Sequence, residues 1–151
     1  MRQLRASLVG LDTAFLVAHT ILEHSNHPKA VSLCQRFLSE GRILAICPTV
    51  ADEFLHVVTD PRRFECALTM HKALQIVRTW MQSQETICLL PTMESNRLHL
   101  DWMAEHRLGR KRINDTRIAS IYFHHGVPTL LTSNTRDFSI FEAFDVIKLC
   151  Q

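Results

Sequence analysis

The sequence has little that punctuates a chain: four Gly and five Pro in 151 residues, and no apolar run approaching the 18 residues that would suggest a membrane span. These shortages exclude collagen-like, low-complexity and membrane-spanning classes. Charge of one sign is also scarce. With 17 Lys+Arg against 15 Asp+Glu, the formal net charge is +2, so any contact with nucleic acid must rest on where the charges sit. What is present, 46% apolar and 21% charged residues, is the composition of a soluble globular domain. A chain this long buries roughly 68–70% of its unfolded surface on folding, so a single domain over residues 1–151 is expected.

The five cysteines, Cys34, Cys47, Cys66, Cys88 and Cys150, are odd in number, widely spaced and without a C-x-x-C pair. Reduced thiols in a reducing compartment are expected, most of them buried in apolar stretches. Arg2 and Arg5 ahead of the apolar residues 8–11 could open a signal peptide, but Asp12 interrupts the run and no A-x-A pattern follows. A cytoplasmic location is the expectation.

Short apolar runs of strand length fall at 7–11, 42–46, 86–90, 129–131 and 146–149, with stretches of helical spacing between them. Met70, Leu74, Val77 and Met81 predict one amphipathic helix; Val31, Cys34 and Leu38 predict another. Pro48-Thr49 and Pro91-Thr92 mark helix starts, and His124-His125-Gly126 marks an end. The alternation predicts an α/β fold, a mainly parallel sheet of about four to five strands with helices on both faces. Ligands of such sheets bind beyond the carboxyl ends of the strands.

Four acids fall at that edge. Asp12 follows the first strand, Glu53 lies early in the helix after the second, Asp115 opens a later helix, and Asp137 follows the fourth strand. They are 41, 62 and 22 residues apart in sequence, so only the sheet can gather them. Two carboxylates about 4 Å apart repel by on the order of 4 kcal/mol at an effective dielectric of 20. A hard divalent ion relieves that repulsion, and Mg²⁺ suits a few carboxylates, several waters and a substrate phosphate. Such an ion activates water for attack on a phosphodiester, so hydrolysis of a nucleic-acid backbone is the leading expectation. Taken singly, each acid has a plainer reading: Asp12 and Asp115 as helix caps, Glu53 as a solvated residue, Asp137 as a turn residue.

The ordered set resembles the PIN domain and, within it, the VapC-like toxins of toxin–antitoxin pairs. The resemblance is carried by Leu11-Asp12-Thr13, by the stretch from Glu53 to Phe64, by Asn114-Asp115-Thr116-Arg117-Ile118-Ala119, and by the closing Thr132-Ser133-Asn134-Thr135-Arg136-Asp137-Phe138. It implies a parallel-sheet α/β fold, a Mg²⁺- or Mn²⁺-dependent endoribonuclease, a homodimer, and a small cognate antitoxin. Carried over by position, Asp12, Glu53 and Asp115 become metal-binding and catalytic acids. For the fourth place, relatives put an acid where Asn134 stands, leaving Asp137 as the candidate or as a supporting residue. Thr13, Thr132, Asn134, Arg110 and Arg112 are expected around the metal or the substrate. Ala14 departs from the Asn or Ser that many relatives carry.

Arg107, Arg110, Lys111 and Arg112 precede Asp115, and Arg117 follows it. They read as a rail for RNA phosphates, a solvated loop, or a perch for acidic antitoxin residues. His24 with His27, and His124 with His125, lack the Cys/His spacing of a zinc site. Thr132 and Ser133 could hold a water or phosphate oxygen, or be ordinary loop hydroxyls. The early helices (Phe15, Leu16, Val17, Ile21, Leu22; Val31, Cys34, Leu38) carry more apolar residues than one face can bury, suggesting a dimer or antitoxin groove. Alternative functions are a housekeeping PIN nuclease without an antitoxin, a catalytically silent RNA-binding module, and a receiver-like domain. The last would need a strand-end Lys, whereas Lys148 lies inside the final predicted strand.

Overall fold

A computed structural model describes residues 7–149; Arg2, Arg5 and Cys150 lie outside them. The chain runs β1 (Leu8–Leu11), α1 (Thr13–Thr20), α2 (His27–Ser39), β2 (Ile43–Ile46), α3 (Pro48–Val58), α4 (Met70–Gln82), β3 (Thr86–Cys88) and α5 (Met93–Glu105). A 3-10 turn (Arg110–Arg112), α6 (Ile113–His124), β4 (Thr129–Thr132), α7 (Thr135–Ser139) and β5 (Asp145–Lys148) complete it. The five strands form one wholly parallel sheet in the order β3-β2-β1-β4-β5.

β1 and β4, the two strands beside the reversal of order, are buried along their whole length, as strands covered on both faces must be. The packing of α1 on α2 and α3, of α3 on α4, and of α5 on α6 groups α1–α4 apart from α5–α6, the arrangement that the right-handed crossover rule gives for this strand order. Winding outward through β2 and β3, then back through β4, leaves a crevice beyond the ends of β1 and β4.

Gly10 lets the α6 side of the sheet close. A Cβ there would lie 2.7 Å from the Tyr122 ring. The buried Tyr122 hydroxyl donates to the Leu11 carbonyl at 2.6 Å and also lies 3.0 Å from the Ala45 carbonyl. One side chain from α6 therefore ties together the ends of β1 and β2.

Several local expectations shift. Helix α3 starts at Pro48 itself, with Cys47 as N-cap, since proline's missing N–H costs nothing in a first turn. In α4 the buried face turns away from the 70/74/77/81 stripe. Ala73 is buried, Ile76, Val77 and Trp80 pack partly on the core, and Met70 and Met81 are exposed. The helix covers β3, a three-residue edge strand that offers little to bury against. In α2 the core residues are Ala30, Leu33, Cys34 and Phe37.

The apolar excess expected of α1 is taken up by the core. Phe15, Leu16, Val17 and Ile21 are buried, and only Leu22 stands out at 82% exposure. Cys34 and Cys47 are buried, Cys88 is half-buried and Cys66 is exposed, all as free thiols. Among the described residues, no helix is long and apolar enough to cross a membrane.

Candidate functional site

Asp12 is the N-cap of α1, its Oδ1 accepting from the Thr13 amide at 2.8 Å. Its own amide donates to the Leu131 carbonyl at 3.0 Å, fastening the end of β1 to β4. Oδ2 accepts from the Thr132 hydroxyl at 2.7 Å, and the Thr132 oxygen accepts the Asn134 amide at 2.9 Å. The capping role is therefore real, but this carboxylate is also 95% buried, which a surface cap does not need.

Glu53 lies in the second turn of α3. Its Oε2 accepts from the Thr13 hydroxyl at 2.7 Å and its Oε1 from the Asn114 side-chain amide at 2.8 Å. One carboxylate thus bridges α1 and α6, which removes the reading of Glu53 as a solvated residue. Asp115, in the first turn of α6, makes no cap bond; Arg112 is the residue at the cap position. The N-terminal ends of α1 and α6 and the first half of α3 converge on one point, where unpaired helix amides favour negative charge.

Asp12, Thr13, Ala14, Glu53, Asn114, Asp115, Ser133 and Asn134 line a single cleft of about 790 Å³. Along α3 the lining continues from Glu53 to His56 and Val57, then to Arg63 and Phe64 in the following turn; His24 contributes from the loop after α1. Asp137 is close enough to raise the pKa values of Asp12 and Asp115 but does not line the cleft. Its Oδ1 pairs with Arg112 Nη1 at 3.0 Å, Arg112 Nη2 donates to its backbone carbonyl, and Asn134 Nδ2 donates to its Oδ2.

Of the two cations expected around the site, Arg110 is exposed, whereas Arg112 points inward beside the acids. Arg112 is thus not a member of a solvent-facing rail.

The electrostatics are those of acids short of a counter-charge. Burial pushes Asp12 from its ordinary 3.8 up to about 6; the hydrogen bonds from Thr132 and Thr13 oppose this, and Glu53 and Asp137 add to it. Asp115 rises to about 7, first through burial and then through Asp12, Asp137 and Glu53, with Arg112 pulling the other way.

Among the described residues, no three Asp, Glu, His or Cys side chains stand in geometry ready to enclose an ion. Mg²⁺ does not require that, because it is commonly held by one or two carboxylates with waters in the remaining places. Oxygen donors, with Asp12 and Asp115 raised by burial and by neighbouring carboxylates, fit a hard divalent cation, and Asp12, Asp115 and Glu53 are the groups that would hold it.

Sequence reasoning did not find Asn114 as a partner of Glu53, nor His24, His56, Arg63 and Phe64 as cleft residues. His56 had a signal: three positions after Glu53, it shares a helix face with it. The other rim residues are brought in by tertiary packing alone.

No family model and no curated protein sequence matches the chain. Solved structures do. Mycobacterium tuberculosis VapC20, a toxin that cleaves the sarcin-ricin loop, matches at TM-score 0.68 and 16% identity, over 91% of this chain and 98% of that one. A chain of Rickettsia felis VapBC2 bound to a DNA fragment from their promoter matches at 0.66 and 17%, over 93% and 98%. A chain of FitAB bound to the IR36 DNA fragment matches at 0.61 and 15%, over 93% and 94%. At these identities the likeness is one of fold, and the fold of this chain is that of the PIN domain.

Proposed function

We propose that this protein is a divalent-metal-dependent endoribonuclease and the toxin of a toxin–antitoxin pair. The observation that carries the reading is the convergence of Asp12, Glu53 and Asp115, from three separate segments, on one cleft at the sheet's switch point. The similar structures support the toxin half: one is described as a sarcin-ricin-loop-cleaving toxin, one as a complex on promoter DNA and one as a complex on the IR36 DNA fragment.

In this reading, a bound Mg²⁺ or Mn²⁺ supplies an activated water and neutralises charge on the phosphodiester. The chain supplies the rest. Thr132 and the Thr13 amide fix the orientation of Asp12, while Thr13 and Asn114 hold Glu53 from both sides. Fixed donors of this kind spare the site reorganisation when the substrate arrives. Arg63 offers a cation and Phe64 an aromatic face in the same cleft, a combination that suits a phosphate and an adjoining base. Asp137 serves as a supporting residue, and a homodimer, a small antitoxin partner and a cytoplasmic location complete the proposal.

The test is RNA cleavage by the purified protein. Cleavage is expected to need Mg²⁺ or Mn²⁺, to stop with chelator, and to fall at least about a hundredfold in Asp12→Ala and Asp115→Ala, with growth arrest relieved in cells. Full activity in either variant would reject these roles. Cleavage without growth arrest, from a gene with no adjacent antitoxin frame, would favour the housekeeping nuclease.

A further inference from the structure

The Arg110–Lys111–Arg112 run does not behave as one unit. Arg110 and Lys111 are exposed, while the Arg112 side chain is only 19% exposed and turned toward Asp137 and Asp115. Its guanidinium reaches Asp137 twice, through Nη1 to Oδ1 and through Nη2 to the backbone carbonyl. Its Nε lies 3.8 Å from Asp115 Oδ2, too far for a hydrogen bond, and has no other hydrogen-bond partner. The second oxygen of Asp137 is taken by Asn134.

One oxygen of Asp137 is held by Arg112 and the other by Asn134, and the residue is absent from the cleft lining. A half-buried guanidinium that reaches a carboxylate oxygen and a backbone carbonyl of the same residue is an arrangement that suits arginine and not lysine. Asp12, Asp52, Glu53 and Asp115 line the cleft; where Asp137 would add a further negative charge, this chain sets a permanent cation against it.

We propose that Arg112 is a built-in counter-ion and positioning residue: it withholds Asp137 from the acidic cleft, so that the cleft takes one divalent ion rather than two. The inference rests on the metal-dependent reading of the site. Arg112 touches neither water nor substrate in this scheme; it acts through Asp137 and through the field at Asp115. Removing its charge frees a carboxylate beside those of the cleft and makes the cleft a stronger trap for cations.

Calorimetric titration of the whole protein with Mn²⁺ tests this directly, with cooperative thermal melts confirming that each variant is folded. The wild type is expected to bind one ion. Arg112→Gln is expected to bind a second ion, or the first at least about fivefold more tightly, because Asp137 is released. Arg112→Lys, which keeps the charge but cannot make both contacts to Asp137, is expected to fall between the wild type and Arg112→Gln.

The double variant Arg112→Gln with Asp137→Asn, neutral at both places, is expected to return to one ion at near wild-type affinity. It also keeps the inference testable if the single Gln variant fails to fold. Two ions in the wild type, no gain in Arg112→Gln, or loss of binding in the double variant would overturn the proposal while leaving a metal-dependent nuclease intact. No ion bound by the wild type would instead overturn the functional reading, and this inference with it.

Discussion

Asp12 closes β1, caps α1 and faces the cleft with one carboxylate, and its neighbours make that compatible with burial. Thr132 and the Thr13 amide each donate to one oxygen, leaving the second lone pairs free. The strand that delivers it depends on Gly10. Gly10→Ala drives a Cβ into the Tyr122 ring at 2.7 Å and must displace the ring or β1. A loss of about 1–3 kcal/mol is expected from such overpacking, read as an earlier denaturant midpoint. Tyr122→Phe keeps the ring but leaves the buried Leu11 carbonyl without this donor, for an expected loss of about 1–3 kcal/mol. An unchanged midpoint in both variants would mean that this anchor contributes nothing to the placement of Asp12.

At the same scale, Asp12 and Glu53 are legible because each lies at or near the junction between a strand-length apolar run and a helix, and Asp115 because it opens a helix behind a basic turn. Asp137 sits at a junction too. Whether its side chain enters the cleft is decided by Arg112, 25 positions earlier, and no local pattern announces that pairing.

Among the elements, the strands were read most easily, because short β-rich runs bounded by turn residues have few other solutions. Helix faces were harder. The spacing of α4 is equally good for two neighbouring stripes, and only the narrow edge at β3 selects Ala73, Ile76, Val77 and Trp80. Helix α5 carries its own start signal, a reciprocal pair in which Ser95 donates its amide to Thr92 and accepts the Thr92 amide. Thr92→Ala removes the Thr92 half, with an expected loss of about 1 kcal/mol and a Tm lower by roughly 2–4 °C in a thermal melt.

The turn before α6 keeps two solvent-facing cations. Reversing Arg110 and Lys111 to Glu is therefore expected to weaken RNA binding and flatten its salt dependence, measured by titration at several salt concentrations. An unchanged slope would remove the rail.

For the molecule as a whole, the parallel topology turns four distant acids into a set of three in a cleft with a fourth behind. That gathering has a thermodynamic signature. Asp12 and Asp115 have folded-state pKa values raised above their ordinary 3.8, to about 6 and about 7, so the folded protein binds more protons than the unfolded chain between those limits. The stability they contribute is present below pH 3.8 and is lost as pH rises through 6 to 7. His19 and His99, whose pKa values burial lowers, push the opposite way, their contribution being lost as pH falls below 6.5. The carboxylate part must therefore be isolated by difference.

The most direct measurement is a set of thermal melts of wild type and Asp115→Asn from pH 5 to pH 8, with chelator and with Mg²⁺. In chelator, the wild-type Tm is expected to fall relative to the variant as pH rises. Mg²⁺ is expected to raise the wild-type Tm at pH 8, to do little at pH 5 where protons already occupy the carboxylates, and to do little for the variant at either pH. Parallel curves for the two proteins, unmoved by Mg²⁺ at pH 8, would contradict the claim that these carboxylates form one cation-seeking site.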